Sequence, residues 1–178
     1  YYTLMSNTQP DHGSRGHAEF SPSSLKYVAA CAAYEGKSGT SAAAEMGTRI
    51  HEGLEVRDPS AVHNEKETDI YNQIVEMESD FMANFPAVKE EHNEIQVDVS
   101  LEGTSTWGTC DRFLVLESGK EAVMADYKTG ISIIDAPEHN WQAKAYTIGA
   151  FQKYKDIDKI VFVFYVPQHS LFNIFKED

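Results

Sequence analysis

The chain has 178 residues, 42% of them hydrophobic, which suffices for one domain with a proper core. No apolar run approaches the roughly 20 residues of a membrane span, and no charged-then-apolar leader opens the sequence, so an intracellular location is the default expectation. With 28 acidic against 15 basic residues the formal charge is −13, which excludes non-specific nucleic-acid binding through a broadly basic surface but not a local basic groove or a bound metal.

Residues 1–20 are polar and aperiodic and predict a flexible N-terminal segment, with a single domain over 21–178. That domain opens on a helix, with Ser21 as N-cap, Pro22 at the first helical position, and Leu25, Val28 and Ala29 at helical spacing. Gly36 marks its stop, and 37–47 reads as a small-residue linker. A second helix is expected over TRIHEGLEV (48–56), with Ile50 and Leu54 on its apolar stripe, then a loop over 57–68 from Asp58-Pro59 and the charge content. Ile70, Ile74, Met77 and Phe81 give helical periodicity over 69–85. Ile95, Val97 and Val99 alternate in a strand over 94–101. Further strands at 105–117 and 121–129, with a turn at Gly119, complete a β-meander. Residues 137–154 return to helix, 159–167 is a buried apolar strand, and 170–178 adds an edge strand. The order predicts an α/β domain with a mixed central β-sheet flanked by helices.

Chemistry concentrates at four places. Asp126 and Lys128 lie two apart on the third strand and so share a face, where opposite charges are costly unless they pair or react. Asp111 interrupts an otherwise apolar run on the second strand. Pairing through a turn near Ser118–Gly119 sets Asp111 beside Asp126, and adjacent carboxylates repel unless a cation, most naturally a divalent metal, lies between them. His51 and Glu55 share a helix face, as do Gln142 and Tyr146. Each alone has a structural explanation: a strand-end ion pair, a surface or core histidine, a half-buried aromatic with a polar neighbour. Two cysteines, Cys31 and Cys110, are too few for a disulfide framework or a four-ligand cluster.

Taken in order, GxxxHxxLE with His51, GxxD with Asp111, DYKTG with Asp126 and Lys128, and QxxxY with Gln142 and Tyr146 resemble the PD-(D/E)XK nucleases. The match is nearest to the RecB-like branch, which includes phage exonucleases and CRISPR adaptation nucleases, and it spans Ser21 to Tyr165. The resemblance implies a restriction-endonuclease-like core. It implies one or two catalytic Mg²⁺ or Mn²⁺ ions on His51, Asp111, Asp126 and the backbone carbonyl of Tyr127. A mixed nitrogen and oxygen set suits Mn²⁺ at least as well as Mg²⁺. It sets Lys128 beside the attacking water and the scissile phosphate, with Gln142 and Tyr146 lining the site in support. Many such relatives carry an iron–sulfur cluster. Cys31 stands near the position of its first ligand, but no C-terminal cysteines follow, so no cluster is expected and Cys31 reads as a small core residue.

The activity implied is a metal-dependent DNA nuclease, an exonuclease of recombination or repair, of phage or bacterial origin. Its expected partner is DNA, as ends or single strands, in the cytoplasm and away from membranes. Relatives often continue past this chain's last residues, so a second copy or a recombination partner protein is expected to complete the substrate channel. The acidic charge supports one alternative, a catalytically inactive nuclease fold that binds nucleic acid or protein. A phosphohydrolase of small nucleotides is the third reading.

Overall fold

The computed structural model describes residues 20–31, 33–35, 41–169 and 171–177, with His169 and 171–177 given by their backbone. The expected flexible segment, save Phe20, and the helix stop at Gly36 lie outside the described residues. Among the described residues five strands form one sheet in the order β1-β2-β3-β4-β5: β1 Val88–Leu101, β2 Thr104–Leu116, β3 Glu121–Tyr127, β4 Lys159–Val166 and β5 Leu171–Glu177. The first three strands are an antiparallel meander, β3 and β4 are parallel, and β5 returns antiparallel to β4. A parallel neighbour needs a crossover. Here it contains α4, Trp141–Lys153.

The strand side-chain period splits the core in two. On one face α4 lays Ala143, Tyr146 and Ala150 against Val97, Phe113, Met124, Phe162 and Phe164. On the other, α2 (Ala42–Val56) and α3 (Glu65–Met82) pack Ile50, Leu54, Ile74 and Phe81 against Leu114, Leu116, Val123 and Tyr165. The domain is thus α/β, a mixed sheet flanked by helices. Among the described residues no helix is long and apolar enough to cross a membrane.

Several boundaries differ from the sequence-based expectation, each for a local reason. α2 begins at Ala42 rather than 48, because Ser41 caps it by accepting from the Ala44 N–H at 3.2 Å, and alanines are the best helix formers. α3 likewise starts at Glu65, inside the expected loop, where the Asn64 side chain accepts from the Glu67 N–H at 3.0 Å. β1 extends back to Val88, its exposed Lys89, Glu90 and Glu91 being suited to a sheet edge. The last predicted helix divides, since Asn140 accepts from the N–H groups of Gln142 and Ala143 and so starts α4 after a separate 3₁₀ turn at Pro137–His139. The first helix is shorter than expected: a 3₁₀ turn at Pro22–Ser24 leads into α1, Leu25–Ala30, which buries none of its residues. Cys31, expected in the core, is therefore exposed at its end.

Candidate active site

The end of β3 is where both faces of the sheet meet charged side chains. The β2–β3 ladder runs Val115↔Ala122 to Arg112↔Ala125, so one further step sets Asp111 opposite Asp126, as the turn at Gly119 requires. Asp126, Lys128 and α4 form one cluster. Lys128 Nζ lies 2.6 Å from Asp126 Oδ2 and donates to Gln142 Oε1 at 2.7 Å. Gln142 Nε2 donates to Asp126 Oδ1 at 2.9 Å, and Tyr146 OH, 3.3 Å from that amide, donates to the Thr109 carbonyl at 2.6 Å. Only one amide orientation satisfies a cation and a carboxylate together, so Gln142 acts as a directional clamp on the ion pair. Gly108, the glycine of the GxxD pattern, is needed here by close approach. A Cβ on it would stand 2.7 Å from Pro22 Cδ and 3.0 Å from Tyr146 Cε1.

The second cluster lies across Asp111. His51 Nδ1 is 3.1 Å from Asp111 Oδ1, while Asp111 Oδ2 accepts the Tyr127 N–H at 2.5 Å. Glu94 joins them from β1: one atom from each of His51, Glu94 and Asp111 falls within 4.8 Å of the others, a group able to hold a metal ion. A local break in strand alternation makes this possible. Asn93 and Arg112 are hydrogen-bonded on the α2–α3 face, yet Ile95 and Cys110, two positions along each strand, lie in the α4-side core. Two-residue spacing normally preserves the face. Between them Glu94 takes a left-handed backbone (φ 51°), a conformation that costs a non-glycine residue about 1 kcal/mol. Gly47, four residues before His51, lets α2 approach the end of β3, where a Cβ would meet Thr129 Oγ1 at 3.1 Å.

A buried ion network braces this end from behind. Arg57 and Arg112 both pair with Glu78, at 2.6 and 2.8 Å, and Tyr127 OH donates to the same carboxylate at 2.6 Å. Tyr127 is thus fixed at its ring while its backbone N–H holds Asp111.

The electrostatics differ between the two acids. Burial pushes the Asp111 carboxyl up, but the His51 charge and hydrogen bond outweigh it and hold the group below its ordinary value. Asp126 goes the other way: burial, together with the Asp111 charge, outweighs Lys128 and raises it to about 6. Burial opposes a charge on His51 as well, yet Asp111, Glu94 and Asp126 together raise it to about 9. These three acids therefore favour the protonated ring.

Every residue expected from the sequence, His51, Asp111, Asp126, Tyr127, Lys128, Gln142 and Tyr146, belongs to these two adjoining clusters. Asp126 is not in the three-residue group that could hold a metal, being taken up by Lys128 and Gln142. Glu94, which is in it, was not singled out by the sequence. Glu55, on the His51 face of α2, is outside that group.

No family model matches the chain, and no curated protein matches it. Among solved structures, the crystal structure of SSO0001 is similar over 86% of this chain and 74% of its own, at 14% identity and a TM-score of 0.33.

Proposed function

We propose that the protein is a divalent-metal-dependent DNA nuclease of the PD-(D/E)XK type, an exonuclease that hydrolyses phosphodiester bonds. One observation carries the reading: a His51–Glu94–Asp111 group able to hold a metal adjoins an Asp126–Lys128–Gln142 cluster, its acid and amide buried and its lysine half-buried, at one end of the sheet. The donor set fits Mn²⁺ or Mg²⁺, since one imidazole and two carboxylates suit a borderline or hard cation and no thiolate is present in the group. His51, Glu94 and Asp111 would hold the ion, with Asp126 and the Tyr127 carbonyl as further oxygen donors. When bound, the ion supplies a Lewis acid that lowers the pKa of water and neutralises phosphate oxygens.

The chain's own groups do the rest. Lys128 offers a compact cation whose one N–H not directed at Asp126 or Gln142 is left for the scissile phosphate, where charge develops in the transition state. Gln142 and Tyr146 fix its direction, so little reorganisation is needed. Asp111 orients the His51 ring, and Tyr127 orients Asp111. An exterior of charge −13 repels duplex phosphates away from this end and restricts engagement to strand ends or a delivered strand. The reading is tested by incubating the protein with linear single- and double-stranded DNA in Mn²⁺, Mg²⁺ or EDTA. Metal-dependent shortening from the ends supports it; intact DNA in both metals sinks it.

A further inference from the structure

We infer that Trp141 forms a stacking subsite for one unstacked nucleobase of the substrate strand, beside the phosphate at Lys128. The inference rests on the nuclease reading above and adds to it the form of strand the site takes.

Trp141 is the first residue of α4, directly before Gln142, so the Asn140 cap that starts the helix sets the backbone from which both side chains project. Despite its size the side chain is 51% exposed. It separates two hollows. One, of about 160 Å³, runs from Lys128 and Gln142 past Trp141 to Tyr27 and Lys26. The other, of about 300 Å³, is walled by Val99, Leu101 and Ile148. A cavity of about 150 Å³ is enough for a six-membered aromatic ring. The first hollow is continuous with the candidate active site, so a base entering it belongs to a nucleotide whose phosphate lies within reach of Lys128.

Its charge also fits a nucleotide. Lys26 stands 5.0 Å from the Tyr27 ring centroid and Lys144 5.6 Å from that of Trp141. Lys26 and Lys128 line the first hollow and Lys144 lines the second one beside the same indole, in a chain of charge −13. Asp135 is the one acid among the described residues lining the first hollow. Aromatic rings beside lysines are how sequence-tolerant single-strand sites hold bases and backbone together. Paired bases keep their faces covered, so the subsite admits a single strand or a frayed end.

The test uses the Trp107→Phe protein, which leaves Trp141 as the sole tryptophan. It is titrated in EDTA with a short oligothymidylate and with the same oligomer carrying abasic sites. Quenching of the Trp141 emission by the first and not the second is expected. Trp141→Ala should weaken single-strand binding roughly 5- to 100-fold, and Trp141→Phe should recover most of it. Absence of quenching, or Trp141→Ala binding as tightly as wild type, overturns the subsite. Cleavage in Mn²⁺ is scored separately. Quenching without cleavage sinks the nuclease reading alone, and cleavage without quenching sinks the subsite alone.

Discussion

Metal binding should be coupled to proton release through His51, and the size of the coupling follows from the site. The ring nitrogen faces Asp111 at 3.1 Å with Glu94 and Asp126 nearby, and these acids raise His51 to about 9 despite its burial. A metal ligand must be the neutral ring. At pH 7 the proton therefore has to leave two pH units below the pKa, which costs about 2.7 kcal/mol, or roughly 100-fold in affinity. Asp126, at about 6, is already ionised over most of this range and adds little above neutrality. Apparent Mn²⁺ affinity should thus rise about tenfold per pH unit between about pH 6.5 and 8.5. Isothermal titration in buffers of different ionisation enthalpy should find close to one proton released per ion near pH 7.5. His51→Gln should remove both the slope and the released proton. Flat affinity across that range, with no buffer-dependent heat, would refute the place of His51 among the ligands.

Glu94 sits in a left-handed conformation, so Glu94→Gly relieves strain that Glu94→Ala keeps. The glycine variant should unfold later in denaturant by about 1 kcal/mol, while both variants lose at least about tenfold in Mn²⁺ affinity by calorimetry. Asp126 is raised to about 6 from an ordinary 3.8, so the folded protein without metal keeps this proton to higher pH than the unfolded chain does and loses stability as pH climbs from about 4 through 6. Asp126→Asn lacks that loss, and its stability relative to wild type should improve by on the order of 3 kcal/mol between pH 4 and pH 7, measured by denaturant unfolding. Gly108→Ala should lower the unfolding free energy by about 1–3 kcal/mol, because the new methyl must displace Pro22 or Tyr146. An unchanged midpoint would contradict the close approach of those residues to the strand.

What the sequence revealed of the site was what spacing and pairing encode. Asp126 and Lys128 share a face by the two-residue period, and Asp111 meets Asp126 because a turn at Gly119 leaves no other register. Glu94 was hidden by its neighbours: it stands in a run of acids, EEHNE, whose other glutamates are exposed, and only its left-handed backbone turns it inward. Periodicity contains no sign of such a break. The Glu78 network was equally silent, since Arg57, Glu78 and Arg112 lie on three different elements. The early helix starts do have a local signal in the sequence. Asn64 followed by Glu67 is a capping-box spacing, and there Glu67 accepts from the His63 N–H at 2.8 Å and pairs with Arg49. The mixed sheet is legible in the sequence because a meander followed by helix and apolar strand has few other solutions.

The measurement that bears most directly on the account is the cleavage rate of an end-labelled DNA strand against Mn²⁺ concentration, for wild type and Lys128→Ala in parallel with calorimetric metal binding. Wild type should cut in proportion to metal occupancy, while Lys128→Ala should bind the ion and cut on the order of 10²–10³-fold more slowly. A wild-type protein saturated with Mn²⁺ that leaves the strand intact, or a lysine variant that cuts at the wild-type rate, would contradict it.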